Sequence, residues 1–351
     1  VMARRYRVSP DQAQADFVDL EEKIQLLATT DEICPITYLD VQRIDPFQTP
    51  ASAPYRMDLA LTYRCNNKCG HCYVGRPPDF PELSLDEWKQ VIDECWNAGI
   101  PHVTFTGGEA TLVPFLRELI EYAEDVGLVT GLLTNGRRLS DRDYLDGLLE
   151  AGLDHIQITL ESHDEAIHDQ MVCAEGAWQE TVQGIKNSVD ADIYLMTNTT
   201  LTDLNIAHIE DTIDFVADLG VPTVACNGLI FAGKGKDVGI GIPEADLEPI
   251  LERVQQRALS RELRLIWYTP TRYCEFNPLE HDLGVKGCSA ARYNMAVEPN
   301  GDVLPCQSYF ESMGNMIADP WEEIWDSALA HYIRDKEWLS TACREAPGTE
   351  N

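Results

Sequence analysis

Apolar residues recur along the middle of this chain in two alternating rhythms. Short runs of strand character occupy Met57–Thr62, His102–Thr106, Val129–Thr134, His155–Leu160, Ile193–Thr199 and Thr223–Phe231. Between them, apolar positions spaced three and four apart predict amphipathic helices at Leu85–Ala98, Val113–Val126, Asp141–Ala151, Ala177–Val189 and Ile206–Leu219, and another follows at Glu244–Leu259. The punctuation agrees. Ser84 with Glu87 three residues on makes a capping box ahead of the first helix. Gly99, Gly127, Gly152 and Gly220 fall just past helix ends, where a left-handed residue stops a helix. Six strand–helix units in a row predict an α/β fold, a parallel sheet with helices outside, forming a partial (β/α)6 TIM-like barrel. In such sheets the chemistry sits at the carboxyl ends of the strands.

The flanks differ. Residues 1–57 read as an extension and linker, with helical spacing around Phe17–Leu27 and then the Pro-rich PFQTPASAPYR. Residues 58–262 carry the barrel pattern, and 263–351 change to short strands and turns. There AVEPNGDVLPC predicts a hairpin turning at Asn300–Gly301, and a helix follows from PWEEIW to about Trp338.

Composition narrows the function. Hydrophobic content of 44% is ordinary for a globular protein, and no stretch approaches the ~20 apolar residues of a membrane span. The basic start has no apolar core after it, so no signal peptide is predicted and the expected location is cytoplasmic. With 59 acidic against 27 basic residues the net charge is −32, which repels phosphate backbones and argues against nucleic acid as a partner. The same surface is either a solvated shell suited to a salty cytoplasm or a field that steers a cationic or neutral substrate.

Eleven cysteines without an export signal point to metal or redox chemistry. Three of them, Cys65, Cys69 and Cys72 in LTYRCNNKCGHCYVG, follow the first strand with the spacing C-x3-C-x2-C, and the aromatic Tyr73 stands just behind. Three soft ligands suit an iron–sulfur cluster and leave one iron open for chemistry. Zinc with His71 as a fourth ligand is the rival, and strain between chain neighbours opposes it. Cys34, Cys95, Cys173 and Cys226 stand alone and read as packing thiols.

Together with TGGEA at Thr106–Ala110, the cysteine run resembles the radical S-adenosylmethionine (SAM) superfamily over roughly residues 57–231. The resemblance implies a 4Fe–4S cluster on Cys65, Cys69 and Cys72 whose open iron takes the amine and carboxylate of SAM. One-electron cleavage of SAM would then give methionine and a 5′-deoxyadenosyl radical that abstracts hydrogen from carbon. It implies further cofactor contacts at Tyr73, Gly107, Gly108 and Glu109, at Thr134 and Asn135 in the TNG run, at Thr159, Glu161 and Ser162 in ITLES, and at Asn198 and Leu229. One departure stands out: where many peptide-modifying relatives carry an arginine, this chain has Val172 in HDQMVCAEGAW. It implies a flavodoxin- or ferredoxin-type reductant as partner.

The tail resembles the SPASM and twitch auxiliary-cluster domains through Cys288 and Cys306, which frame the predicted hairpin. Cys274, Cys288, Cys306 and Cys343 are the four ligands needed to close a second 4Fe–4S cluster; alternatively, Cys274 faces the active site. Tyr273, Glu275 and Asp282, with Tyr268 and His281, are candidate acids or bases near this junction. The glycines of Lys234–Gly241 read as a mobile loop near the site. The functional expectation is maturation of a precursor peptide, with a separate recognition protein as a second partner. A small-molecule reaction on an aminoglycoside, haem or cofactor precursor is the alternative, and a non-catalytic iron–sulfur carrier is the rival from another class.

Overall fold

One nine-stranded sheet organises the computed structural model, which describes residues 8–29, 51–191, 193–273 and 275–335. Its strands are β1 (Arg56–Thr62), β2 (His102–Gly107), β3 (Val129–Thr134), β4 (His155–Thr159), β5 (Tyr194–Leu201), β6 (Thr223–Gly228), β7 (Arg264–Trp267), β8 (Asn294–Val297) and β9 (Val303–Leu304). They lie in the order β7-β6-β5-β4-β3-β2-β1-β8-β9. Strands β1 to β8 pair in parallel, and β9 pairs antiparallel with β8. The helices are α1 (Pro10–Thr29), α2 (Leu85–Ala98), α3 (Leu116–Val126), α4 (Arg142–Glu150), α5 (Glu165–Val172), α6 (Ala177–Val189), α7 (Ile209–Asp218), α8 (Leu247–Ser260), α9 (Trp321–Trp325) and α10 (Ala328–Arg334). The alternation read from the sequence is the architecture of an α/β partial barrel.

The local signals work as their chemistry requires. Ser84 accepts from the Glu87 N–H while the Glu87 carboxylate takes the Ser84 N–H, closing the capping box on α2. Past α2 and α3, Gly99 and Gly127 adopt φ of 85° and 106° and end the helices. Alternate strand residues then face helices. Met57, Leu59 and Leu61 of β1 and Val103 and Phe105 of β2 pack with Trp88, Ile92, Leu119 and Ile120 in the core. The intervening positions Asp58, Thr104 and Thr106 are buried polar groups on the other face. At its amino end that face holds His102 and His155 with their Nε2 atoms 2.8 Å apart. Burial, then His155 and Arg56 nearby, push His102 down to about 4.

Three features depart from the expected pattern. The sheet does not stop at residue 262: β7 extends it beyond β6, and β8 joins the opposite edge beside β1. The hairpin uses a wider turn than Asn-Gly alone, because Pro299 precedes it; the Gly301 N–H bonds to the Glu298 carbonyl at 2.9 Å and Gly301 takes φ 91°. Helix α5 was not anticipated, although Asp164 caps it by accepting from the Ile167 N–H. Among the solitary thiols, Cys95 and Cys226 are buried as expected, whereas Cys173 is exposed at the left-handed C-cap of α5. Cys34, Cys274 and Cys343 lie outside the described residues. No helix among the described residues is long and apolar enough to cross a membrane.

Gly184 tests how closely α6 sits on the turn after β3, since a Cβ there would lie 2.2 Å from the Gly136 carbonyl oxygen. We expect Gly184→Ala to cost about 1–3 kcal/mol in urea melts through overpacking, against about 1 kcal/mol for Ser84→Ala through the lost cap. Equal midpoints for Gly184→Ala and the parent protein would contradict the packing.

Candidate active site

From Tyr63 to Ser84 the chain runs without helix or strand, and its first part carries Cys65, Cys69 and Cys72. Irregular backbone must find hydrogen-bond partners elsewhere. Four neighbouring segments provide them. The Arg64 carbonyl accepts from the Glu109 N–H (2.9 Å). The Lys68 and Gly70 N–H groups donate to the Val172 and Met171 carbonyls at the end of α5 (2.9 and 3.3 Å). The Cys72 carbonyl accepts from the N–H groups of Lys234 and Gly235 (2.9 and 3.2 Å). After β3, Arg137 donates to the Asn66 carbonyl (2.6 Å) and to Asn67 Oδ1 (2.9 Å). Val172, where the resemblance led to the expectation of an arginine, thus supports this loop with its backbone and buries its side chain.

Gly107 and Gly108 sit where β2 ends against this loop. Gly107 takes φ +133°, and a Cβ there would lie 2.2 Å from the Thr62 carbonyl oxygen; at Gly108 it would lie 2.4 Å from that of Arg64. The close approach the structure displays is backbone to backbone, between the ends of β1 and β2. Glu109 follows, buried, and binds the strand ends together. Its Oε1 accepts from Thr111 N–H, Thr111 Oγ1 and Thr134 Oγ1, and its Oε2 accepts from the Asn135 N–H (2.8 Å). With a single partner, Oε2 retains acceptor capacity. Asn135 closes the circle through Nδ2, which donates to Asn66 Oδ1 (2.7 Å) and lies 4.0 Å from Cys65 Sγ.

A second buried carboxylate, Glu161, faces the loop from the end of β4. Its Oε1 lies 2.9 Å from His71 Nε2, and its Oε2 accepts from the Thr200 N–H. Burial opposes the charged form of His71, but the Glu161 carboxylate outweighs it, so the imidazole pKa is raised. This pair went unread in the sequence because its members stand 90 residues apart. Two buried polar atoms near these strand ends, His71 Nδ1 and Asn198 Oδ1, have no hydrogen-bond partner among the described residues. The remaining candidates sit at or just past the same strand ends. Ser162 Oγ accepts from the Asp164 N–H, Thr159 pairs with Asn198 in the sheet, and Leu229 is buried beneath the 230s loop. The Lys234–Gly241 segment, expected to be mobile, begins as a turn pinned to Cys72.

The donor set fits an iron–sulfur cluster. Burial pushes Cys65 up to about 11 and raises Cys69 and Cys72 as well. The carboxylates Glu109 and Glu161 push Cys65 and Cys69 the same way. Three such thiols need a positive counter-charge to ionise, which the irons of a cluster provide. Among the described residues, only Glu248, Glu252 and His281 bring three ligand atoms within 4.8 Å of one another. The three thiols are therefore spread wider than the roughly 4 Å edge of a tetrahedral zinc–thiolate site.

The tail meets this loop directly. The Tyr73 hydroxyl bonds to the side chain of Gln307, next to Cys306. Arg76 clasps Glu298 with Nε and Nη2 at 2.7 and 3.0 Å, and the Tyr63 hydroxyl adds a third bond at 2.9 Å. Cys288 and Cys306 flank the hairpin, whose base is tied by the Ala291 N–H to the Pro305 carbonyl (2.9 Å). Four of the candidate acids and bases have identified partners. Tyr273 accepts from the Lys286 N–H, Glu275 pairs with Arg272, His281 faces Glu248 and Glu252, and Tyr268 donates to Gln157. Asp282 lies in a turn with φ 53°.

Two family models match the chain: the radical SAM superfamily over residues 59–216 and the SPASM iron–sulfur cluster-binding domain over residues 288–345. Residues 59–216 thus carry a radical SAM domain, with a SPASM domain behind it. Its cofactors are SAM, a 4Fe–4S cluster and auxiliary iron–sulfur chemistry in the SPASM region. This radical SAM enzyme is 28% identical over 309 residues to the AdoMet-dependent heme synthase of Methanosarcina barkeri, covering 83% of this chain and 88% of that protein. It is 28% identical to the PqqA peptide cyclase of Bradyrhizobium diazoefficiens, covering 83% and 78%. Among solved structures, Streptococcus suis SuiB bound to S-adenosylmethionine shares the fold with a TM-score of 0.75 at 18% identity, covering 98% and 84%.

The Arg76–Glu298 clasp gives a direct test of how tail and barrel depend on each other. Glu298 is fully buried, so Arg76→Met leaves an unpaired charge and should cost about 3–5 kcal/mol in denaturant melts. Arg76→Met/Glu298→Gln should recover part of that loss. A single variant as stable as the parent would show that the clasp carries no load.

Proposed function

We propose that this radical SAM enzyme modifies a peptide by abstracting hydrogen from carbon, in a crosslinking, thioether-forming, epimerising or excising reaction. The observation that carries the reading is the pairing of likeness and geometry. The chain resembles a peptide cyclase over 83% of its length, and the loop of Cys72 shares hydrogen bonds with the hairpin of Cys306. A solved structure of SuiB with its precursor peptide SuiA, similar in fold, is consistent with it.

Cys65, Cys69 and Cys72 would hold the cluster whose open iron receives SAM. When bound, cluster and SAM supply reductive cleavage to methionine and a 5′-deoxyadenosyl radical. The chain's own groups orient the cofactor. Glu109 offers Oε2 to the methionine amine. Asn198 offers its unpartnered Oδ1 to a donor such as a ribose hydroxyl, and Leu229 and Tyr73 line other parts of the cofactor. Thr134 and Asn135 act mainly by fixing Glu109 and the cysteine loop. Thr159, Glu161 and Ser162 line the same strand end, with Glu161 acting through His71. The carboxylate of SAM lacks the usual arginine partner, and His71 Nδ1 is the buried polar atom left to meet it. Cys274, Cys288, Cys306 and Cys343 would close the auxiliary cluster, or Cys274 would serve the substrate instead.

The second reading, a tetrapyrrole or other small-molecule substrate, is favoured by the likeness to the heme synthase. Mass spectrometry separates the two. A candidate precursor peptide encoded beside the gene is incubated with reduced enzyme and SAM in deuterated solvent. Loss of two hydrogens, excision of a fragment or uptake of one deuterium supports the peptide reading. An unchanged peptide alongside conversion of a haem precursor overturns it.

A further inference from the structure

Acidic residues number 59 in 351, yet none occurs between Arg64 and Pro78, the stretch that carries the three cluster cysteines. This stretch holds the exposed Lys68. The segment from Leu229 to Pro243 contains one acid, Asp237, and the exposed lysines Lys234 and Lys236. The two segments are joined. The Lys234 and Gly235 N–H groups bond to the Cys72 carbonyl, and Val238 lies 3.9 Å from where a Cβ of Gly70 would be. Arginines nearby are already spent on carboxylates: Arg64 on Glu82, Arg76 on Glu298 and Arg137 on Glu180. Lys68, Lys234 and Lys236 form no ion pair among the described residues.

Three unpaired lysines gathered on two joined, acid-poor segments stand out on a chain of net charge −32, and they lie on and beside the loop that carries the three cluster cysteines. We propose that Lys68, Lys234 and Lys236 form the docking face for an acidic one-electron carrier protein. The inference rests on the radical SAM chemistry and is independent of the peptide reading. Long-range repulsion between two acidic proteins is screened beyond about 8–10 Å at physiological salt, so a local cationic face decides where contact forms. One electron leaves the reduced carrier and one enters the enzyme's cluster, with no bond made or broken. The face places the carrier over the backbone of Lys68 and Cys72, a few bonds from two ligand thiols.

The test uses reconstituted holoenzyme and the variant K68Q/K234Q/K236Q. Formation of 5′-deoxyadenosine is measured with purified reduced flavodoxin and, separately, with dithionite and methyl viologen. Binding of the flavodoxin is measured directly by fluorescence anisotropy across a salt series. The proposal predicts at least a tenfold loss of flavodoxin-driven kcat/KM, weaker binding and a flatter salt dependence. The rate with the chemical reductants should stay within twofold. Equal losses with both reductants would overturn it by making the lysines supports of the cluster loop. Unchanged flavodoxin binding would also overturn it, and so would a defect confined to an acidic peptide substrate. Absence of 5′-deoxyadenosine from the parent protein with every reductant would instead strike the radical SAM reading.

Discussion

The site depends on a backbone that cannot satisfy itself. A loop that presents three thiols in eight residues has no room for a helix or strand, so its N–H and C=O groups must be met by other segments. They are met by the ends of β2 and α5, by the turn after β6 and by Arg137 after β3. Each of those elements reaches the loop because a parallel sheet delivers strand ends to a common edge. The barrel is thus the device that makes an irregular metal loop affordable. The glycines at the end of β2 follow from the same constraint, since any side chain at Gly107 would collide with β1.

Charge is the second half of the design. Burying two carboxylates, Glu109 and Glu161, beside three thiols would be costly without cations. The protein meets part of that cost with directed donors, Thr111, Thr134, Asn135 and His71, and leaves the thiols themselves raised. Bound irons would favour the ionised thiolates. The same logic extends to the tail, where buried Glu298 is held by Arg76 from the loop side. Tail and barrel share this polar contact and the sheet edge between β1 and β8, so the auxiliary region is fastened to the radical site by two unlike means.

The barrel was legible because its signals are local. Capping Ser84, the stop glycines and the two apolar rhythms each need only a few neighbouring residues, and the strands fell within a few residues of their expected bounds. The cysteine spacing and the TGGE turn were legible for the same reason. What escaped depends on distance in sequence: the His71–Glu161 pair, the Arg76–Glu298 clasp and the docking of β8 onto β1. Helix α5 escaped because its eight residues are too short for a clear apolar rhythm; the cap at Asp164 was its available signal. Val172 shows the limit of side-chain patterns. Its side chain marks a missing arginine, while its carbonyl does work that no sequence pattern records.

The central claim is that the loop of Cys65, Cys69 and Cys72 holds an open-iron cluster that cleaves SAM. Its most direct test is anaerobic incubation of the reconstituted protein with SAM and dithionite, with 5′-deoxyadenosine quantified against a Cys65→Ala/Cys69→Ala/Cys72→Ala variant. The account predicts steady 5′-deoxyadenosine from the parent and none above background from the variant, whose iron content falls by about four per chain. Equal 5′-deoxyadenosine from both proteins, or none from an iron-replete parent, would contradict it.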